Sequence, residues 1–243
     1  MDLSIVIPAY NENTKITGDV KAAAEFLQNS NIEGEIIVVD DGSTDGTAEA
    51  AKSVKVPLSA KLKVIQYEQH RGKGCAVRTG ISQTSGKYVM FADSGLCVPY
   101  GNALPGLEML KDGSCDIAHG SRKLLQSDIL HNQPWRRRLS SKIFKWLTRR
   151  LVQIPAGLTD TQCGFKMYKG HVARKLYGRC ISDGFMFDVE IILRAQKEGY
   201  RIKEFPIEWT CDLDSRLSLT RVPWQVFSEL RAIKQALSDN LKR

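Results

Sequence analysis

The segment that decides the fold reads IIVVDDGSTDGT and occupies residues 36–47. It begins with four consecutive β-branched residues, whose side chains favour a buried strand. Acidic residues and glycines follow at once, and this composition is typical of a turn. We therefore predict a strand that ends near Asp40, then a turn, and then a helix from about Asp45 to Val54.

The same alternation of apolar runs and helical spacing extends through the first half of the chain. We predict strands over 3–7, 62–65 and 87–92, and helices over 14–29 and 72–84. Apolar strands connected by helices of this length indicate a parallel sheet that is covered on both faces. The predicted fold class is therefore α/β, with a mostly parallel sheet flanked by helices.

The second half of the chain carries weaker signals of the same kind. We predict helices over 103–111 and 187–198, and strands over 116–119 and 201–209. Residues 135–151 and the tail after Pro223 have apolar residues at helical spacing, so both are predicted to form amphipathic helices. With 243 residues and no repeat or linker, we expect one domain over 1–212 and a helical tail over 213–243.

The composition narrows the class of partner. Lys and Arg number 35 against 27 Asp and Glu, a net charge of +8, which favours phosphates, nucleotides, acidic lipid head groups or nucleic acid. No nucleic-acid-binding motif is evident, so nucleic acid is not an expected partner. Six cysteines without a CxxC pair disfavour a disulfide scaffold and a zinc module. Because no apolar stretch approaches about 20 residues and no signal peptide is evident, we expect a cytoplasmic protein.

Polar residues follow the predicted strands at the points where those strands end. These loops are residues 8–12, 40–47, 70–74 and 92–95. Ligands of open parallel sheets bind at the carboxyl ends of the strands, so the loops predict a site for an anionic ligand assisted by a divalent metal. Taken singly, the acidic loop also fits a turn that caps a helix, and the RGKG loop also fits a solvated surface. Neither a GxGxxG nor a GxxxxGK[ST] motif is present, which disfavours the usual dinucleotide and phosphate-loop folds.

Together these loops resemble the nucleotide-sugar half of inverting family 2 glycosyltransferases with the GT-A fold. The resemblance rests on IVIPAYNE (5–12), IIVVDDGSTDGT, RGKGCAVRTG (71–80) and FADSG (91–95). DTQCGFKM (160–167) and FDVE (187–190) are similar to the dolichyl-phosphate and polyprenyl-phosphate β-glucosyltransferases of that family. The resemblance implies a nucleotide-sugar-binding half over 1–98 and an acceptor half over 99–212.

The resemblance also implies which residues bind the donor. Base and ribose contacts fall to the first two loops, base or diphosphate contacts to the basic loop with Arg71 and Lys73, and ribose and metal contacts to Asp93. The metal, Lys73 and Arg122 are the groups expected to stabilise the leaving diphosphate. The implied donor-binding residues are Pro8, Ala9, Tyr10, Glu12, Asp40, Asp41, Arg71, Lys73, Ala92, Asp93, Ser94 and Arg122.

One departure from the family concerns the metal. Relatives read Asp-Ala-Asp where this chain reads Asp93-Ser94-Gly95, so the second carboxylate is missing. Mg²⁺ or Mn²⁺ accepts water and phosphate oxygens as ligands, so binding through Asp93 alone is expected to be weaker. A ligand elsewhere in the chain, metal-independent turnover and an altered donor stay open as alternatives.

Three acidic residues are candidates for the reacting centre. The resemblance implies Asp160 first, because it opens the motif beside the acceptor, and then Asp188 and Glu190. Residues i and i+2 point in different directions on a helix, so only one of the last pair is expected to face the sugar. The plain alternatives are a turn or capping acid for Asp160 and a solvated or salt-bridged helix acid for Glu190.

The predicted reaction moves a hexose, glucose from UDP-glucose, to a polyprenyl or dolichyl phosphate with inversion. The alternatives are the same donor chemistry on a soluble acceptor and a nucleotide-binding protein without activity. Residues 136–150 contain seven Lys and Arg and no acid, which predicts peripheral contact with an anionic membrane on its cytoplasmic face. Packing of the two amphipathic segments on the domain, or in a homodimer, is the alternative.

Overall fold

The computed structural model describes residues 1–130, 157–210 and 222–239, and in the last helix the side chains of residues 228–237. The strands are β1 Leu3–Ala9, β2 Gly34–Asp40, β3 Ala60–Gln66, β4 Tyr88–Ala92, β5 Ile117–Ser121, β6 Asp128–Ile129, β7 Phe165–Lys169, β8 Ile202–Pro206 and β9 Glu208–Trp209. The α-helices are α1 Asn13–Asn29, α2 Thr47–Lys52, α3 Lys73–Ser82, α4 Ala103–Lys111, α5 Gly170–Tyr177, α6 Phe187–Lys197 and α7 Val222–Asp239. A short 3₁₀ helix, Tyr100–Asn102, precedes α4.

The main sheet has seven strands in the order β3-β2-β1-β4-β7-β5-β8, and β6 pairs with β9 in a small second sheet. The pairs β1–β2, β1–β4, β2–β3 and β5–β8 are parallel. Strand β7 is antiparallel to both of its neighbours, β4 and β5. The amino end of β7 therefore lies at the edge where the other strands have their carboxyl ends, and residues 160–164 arrive at that edge.

Two hydrophobic cores lie on the two faces of the sheet, as expected for strands that helices cover on both sides. Along β2, Ile36 and Val38 belong to the core beneath α1. The intervening Ile37 and Val39 belong to the core beneath α3, α5 and α6. All four are fully buried, so the continuous apolar run in the sequence reflects burial on both faces.

The predicted α/β class and mostly parallel sheet are confirmed, and the predicted elements of residues 1–121 are present with ends shifted by a few residues. Strand β7 and helix α5 escaped prediction. In β7 the apolar residues alternate with Lys166 and Lys169, so the segment lacks the apolar run of the other strands. Lys166 is nevertheless buried, with 1% of its surface exposed, because its charge is compensated by Asp188, which is distant in sequence.

The tail forms helix α7 as predicted, and its Leu230 and Ile233 are buried. These two side chains therefore pack on the domain. The predicted amphipathic helix over 135–151 lies outside the described residues. Among the described helices, none has the length and apolar character that crossing a bilayer requires.

Candidate active site

Asp40 ends β2 with its carboxylate buried at the edge of the sheet. Its Oδ1 accepts a hydrogen bond from the Ser43 backbone N–H at 2.9 Å. Its Oδ2 is buried and lacks a hydrogen-bond partner within the described part of the chain. A buried carboxylate oxygen without a partner is costly, so Asp40 is suited to accept a hydrogen bond from a ligand.

Asp41 holds the basic loop against the acidic one. Its two carboxylate oxygens accept hydrogen bonds from the backbone N–H groups of Arg71 at 2.8 Å and Gly72 at 2.9 Å. The Nδ1 atom of His70 lies 2.9 Å from the same carboxylate. Gly42 has φ +77°, and a Cβ there would lie 2.5 Å from the His70 backbone nitrogen, so only glycine allows this approach. Asp41 therefore positions the loop that carries Lys73.

An aromatic surface lies beside these carboxylates. The rings of Tyr10 and His70 are stacked, with centroids 4.1 Å apart and planes inclined by 27°. The backbone N–H of Asn11 donates to Ser43 Oγ at 2.8 Å, and that of Glu12 donates to Thr47 Oγ1 at 2.9 Å. These bonds fasten the loop after β1 to the loop after β2. The exposed part of Tyr10 offers a flat surface of the kind on which a nucleotide base stacks.

The remaining residues predicted to bind the nucleotide-sugar take part in the site mainly through their backbone atoms. Pro8, Ala9 and Ala92 are buried within or at the ends of β1 and β4. The Arg71 guanidinium lies over the Tyr67 ring, 5.3 Å from its centroid, so the part of Arg71 that meets Asp41 is its backbone. The contacts of all these residues with a donor stay predictions.

Lys73 and Asp93 meet across the site from the ends of different loops. Lys73 Nζ lies 2.6 Å from Asp93 Oδ1, and both side chains are partly exposed. Burial opposes the charge on Lys73, but the carboxylates of Asp93 and Asp188 outweigh it and raise the pKa of the lysine. Lys73 is therefore a cation at neutral pH.

Lys166 is a site residue that sequence reasoning missed. Its Nζ donates to Asp188 Oδ1 at 2.7 Å and to the Cys163 carbonyl at 2.6 Å, and it lies over the Phe91 ring. Burial raises the pKa of Asp188, and the ammonium groups of Lys166 and Lys73 oppose that rise. The signal available in the sequence was a lysine within DTQCGFKM, inside the motif that carried the family resemblance.

Asp160 and Arg122 form a bidentate ion pair in the acceptor half. Arg122 Nε and Nη2 donate to the two Asp160 oxygens at 2.6 and 2.8 Å. Burial opposes ionisation of Asp160, but the Arg122 guanidinium prevails and holds the pKa of Asp160 well below its ordinary value. Glu204 supports the pair from β8, because its carboxylate accepts the backbone N–H of Asp160 at 2.7 Å. Asp160 therefore positions Arg122 and is a weak proton acceptor.

Glu190 points away from Asp188, as the i, i+2 spacing predicts. Its carboxylate accepts the backbone N–H groups of Ile181 at 2.9 Å and Ser182 at 2.8 Å, and it pairs with Arg194 at 2.7 Å. The loop that it holds packs against the basic loop, since a Cβ on Gly72 would lie 2.4 Å from the Asp183 carbonyl. Glu190 therefore acts on the site through this loop, and the helix acid that faces Lys73 is Asp188.

Ser94 and Gly95 belong to a turn that is held by Asp19, a second residue that sequence reasoning missed. Ser94 Oγ donates to Asp19 at 2.6 Å, and the backbone N–H groups of Gly95 and Leu96 donate to it at 3.0 Å. Asp19 is fully buried, and that burial raises its pKa, opposed by these hydrogen bonds. The Ser94 side chain is thus engaged with α1.

The residues present do not by themselves fit a divalent metal. Asp93 is the one acid of the expected pair, and it is already paired with Lys73. Within the described ranges, no three His, Cys, Asp or Glu side chains are grouped so that they could hold a metal ion, so an ion here would depend on phosphate and water oxygens for most of its ligands. The expectation that Asp93 binds Mg²⁺ or Mn²⁺ therefore finds no support in this arrangement.

The sheet and its converging charged loops define the class of nucleotide-sugar-dependent glycosyltransferases. The family model described as Glycosyl transferase family 2 matches residues 4–177. The chain therefore belongs to glycosyl transferase family 2.

Curated relatives and solved structures agree with this assignment. Dolichyl-phosphate beta-glucosyltransferase of Dictyostelium discoideum is 31% identical over 218 residues, which cover 86% of this chain and 66% of that protein. The Homo sapiens protein of the same name is 32% identical over 223 residues, covering 86% of this chain and 67% of its own length. The chain thus spans about two thirds of these two relatives.

Solved structures share the GT-A fold. Glucosyl-3-phosphoglycerate synthase from Mycobacterium tuberculosis with phosphoglyceric acid gives a TM-score of 0.68 at 19% identity, over 96% of this chain and 79% of that one. The complex of the same enzyme with Mn²⁺, UDP-glucose and phosphoglyceric acid gives a TM-score of 0.66 at 18% identity, over 97% of this chain and 78% of that one. At this identity the likeness establishes the fold alone.

Proposed function

We propose that this protein transfers glucose from UDP-glucose to a polyprenyl phosphate with inversion at the anomeric carbon. The names of the relatives at 31% and 32% identity support dolichyl phosphate as the type of acceptor. The converging donor loops support a nucleotide-sugar as the substrate. The proposal includes peripheral contact with the cytoplasmic face of a membrane, because a polyprenyl phosphate resides in one.

The choice of a phosphate acceptor rests on one observation. Each of the three acids predicted for the reacting centre, and thus each candidate base among them, is ion-paired with a basic side chain. Asp160 is paired with Arg122, Asp188 with Lys166, and Glu190 with Arg194. A sugar hydroxyl must lose a proton to a base during transfer. Hydrogen bonds and ion pairs lower the pKa of Asp160 and of Glu190 despite their burial, so these two are weak bases, and the carboxylate of Asp188, whose pKa burial raises, is occupied by the Lys166 ammonium. A phosphate acceptor is already ionised near neutral pH and needs no such base. These pairings therefore favour a phosphate over a hydroxyl acceptor.

The acceptor half also carries positive charge suited to a phosphate. The Arg122 guanidinium is fixed by Asp160 and lies over Trp209, 5.4 Å from the ring. Lys123 Nζ lies 3.8 Å from the same Asp160 carboxylate and is about half exposed. Arginine held in one orientation binds phosphate with less entropy lost per hydrogen bond than a free side chain.

In the proposed reaction, a phosphate oxygen of the acceptor attacks the anomeric carbon in line with the leaving group. The new bond joins that carbon to the acceptor oxygen, and the bond between the carbon and the UDP oxygen breaks with its electron pair. UDP leaves with the added negative charge, and the Lys73 ammonium stabilises that charge. Holding the two reactants in line contributes much of the rate in such transfers.

Product partition tests the proposal. The purified chain is incubated with UDP-[¹⁴C]glucose and vesicles that contain dolichyl phosphate, and radioactivity is counted after organic extraction. We expect label in the organic phase, and none with vesicles that contain dolichol, which has the same chain without the phosphate. Label that stays in a water-soluble product favours the soluble-acceptor alternative, and transfer only from GDP- or dTDP-glucose contradicts the choice of donor.

A further inference from the structure

Building on the proposed use of a UDP-sugar, we infer that Lys73, rather than a divalent metal ion, neutralises the donor's diphosphate. Donor binding by this protein then does not require Mg²⁺ or Mn²⁺. Four features of the site support this inference: the partner of Asp93, the shape of the turn after it, the local balance of charge, and the place of Lys73 at the start of α3.

The carboxylate on which a metal would depend is already engaged. Lys73 Nζ lies 2.6 Å from Asp93 Oδ1. On its other side the carboxylate lies against the backbone of Gly164, where an added Cβ would come within 2.0 Å of Asp93 Oδ2. The backbone of Asp93 donates to the Gly164 carbonyl at 2.8 Å, which holds the two segments together. A metal ion at Asp93 would have to displace the ammonium group.

The turn after Asp93 supplies no second carboxylate. Gly95 has φ +98°, a conformation that side-chain-bearing residues adopt at a cost. Its N–H and the Ser94 hydroxyl are bound to Asp19, which accepts hydrogen bonds from three donors of this turn, the third being the Leu96 N–H. Asp19 is fully buried, so its carboxylate shapes the turn and is not offered to a ligand.

The charges around Asp93 already balance. Lys73 and Lys166 face Asp93 and Asp188, two positive groups against two negative ones. An ion of charge +2 placed here would lie beside two ammonium groups, and like charges at such distances repel. A diphosphate is attracted by the two ammonium groups and repelled by the two carboxylates, so this neutral group favours it only through direct contact with Lys73.

Lys73 is placed to donate to a phosphate. It is the first residue of α3, a helix of ten residues whose amino end attracts anions. Its ammonium group has three N–H donors and is ion-paired with Asp93, whose buried Oδ1 has no hydrogen-bond partner among the described residues. The loop before it is held by Asp41 and the loop across from it by Glu190, so the position of Lys73 is set from both sides.

Calorimetric titration of UDP with the whole protein tests the inference. Wild type is titrated after dialysis against EDTA and again with 1–5 mM Mn²⁺, on the order of the divalent concentrations that weak sites need. We expect UDP to bind in EDTA, with a dissociation constant that Mn²⁺ changes by less than about threefold, since that is under 1 kcal/mol. Lys73→Met should weaken binding about 10- to 100-fold in both conditions, because a hydrogen bond to a charged group is lost. Lys73→Arg keeps the charge and is the matched control.

The outcomes separate the inference from the proposed function. UDP that binds wild type only with Mn²⁺ overturns the inference and leaves the proposed donor intact. UDP binding that is undiminished in Lys73→Met also overturns it. A protein that binds neither UDP nor UDP-glucose, with or without Mn²⁺, overturns the proposed function itself. Thermal unfolding of each variant establishes that a loss of binding is not a loss of fold.

Discussion

Two pairs of carboxylates, one in each of the predicted donor and acceptor halves, are held in different ways. In the donor half, Asp40 and Asp41 are bound by backbone N–H groups of Ser43, Arg71 and Gly72. In the acceptor half, Asp160 and Asp188 are bound by the charged side chains of Arg122 and Lys166. Backbone donors fix loops in place, whereas side-chain cations also supply positive charge to the site.

Under the proposed function, this difference fits different tasks for the two predicted halves. The donor half arranges acceptors for hydrogen bonds around an aromatic surface, which suits a base and a ribose. The acceptor half presents fixed cations and no unpaired candidate base among the predicted residues, which suits an anionic acceptor. Variants that remove one kind of support should therefore fail in different measurements.

The largest effect is expected from Asp160→Asn. This change leaves the Arg122 guanidinium without its bidentate partner, and breaking a largely buried ion pair costs about 3–5 kcal/mol of unfolding free energy. The melting temperature should fall by about 6–20 °C for a chain of this size. Transfer to the acceptor should fall while the dissociation constant for UDP stays near that of wild type.

The pH dependence and a double variant check this interpretation. The pKa of Asp160 is lowered in the folded protein, so its contribution is present above its unfolded value of about 3.9 and is lost as the pH falls. Urea unfolding at pH 7 and at pH 3 should therefore show a smaller gap between wild type and Asp160→Asn at pH 3. Arg122→Met/Asp160→Asn should recover much of the stability but not the transfer. If the stability difference between wild type and Asp160→Asn were the same at pH 7 and at pH 3, loss of the ion pair would not be its cause.

An intermediate effect is expected from Asp41→Asn in the donor half. The amide oxygen still accepts a hydrogen bond from one of the two backbone donors, Arg71 or Gly72, but the NH₂ group that replaces the other oxygen faces the second donor, so the basic loop is loosened. We expect UDP affinity to fall about 10- to 100-fold, from the loss of hydrogen bonds to a charged group. Calorimetric titration with UDP measures this affinity.

The matched control for Asp41→Asn is Asp112→Asn. Asp112 also accepts a backbone N–H, from Ser114 at 2.7 Å, but it lies before β5, at the end of the sheet opposite the site. UDP affinity should be unchanged in that variant. Equal losses in the two variants would mean that the Asp41 result reports general destabilisation.

The smallest effect is expected from Gly95→Asp, which adds the acid that the family resemblance led us to expect at this position. From the sequence alone, this change would be expected to strengthen metal dependence. In the structure, φ +98° at this position makes a side chain costly by about 1–2 kcal/mol, and Asp19 already occupies the inside of the turn. We expect a small loss of stability and an unchanged effect of Mn²⁺ on UDP binding. Gly101→Asp is the control, because a Cβ there meets nothing within 4 Å.

The donor half was the more predictable of the two. Its loops follow parallel strands in chain order, so the carboxyl ends of β1, β2 and β4 bring Tyr10, Asp40 and Asp93 to one edge as the motifs indicate. The i, i+2 argument also correctly separated Asp188 from Glu190. The partners of Lys166 and Asp19 could not be foreseen, because they lie 22 and 75 residues away and share no local pattern with them.

The amino-acid sequence by itself determined the α/β class, the family and the loops that form the site, because apolar periodicity and strand-end motifs depend on neighbouring residues. The tertiary structure decided which charges meet. Strand β7 runs against its neighbours and brings residues 160–166 to the donor edge, and only there do Asp93, Lys73, Lys166 and Asp188 come together. Electrostatic energy depends on distance in space and not on separation along the chain, so the state of each acid follows from the fold.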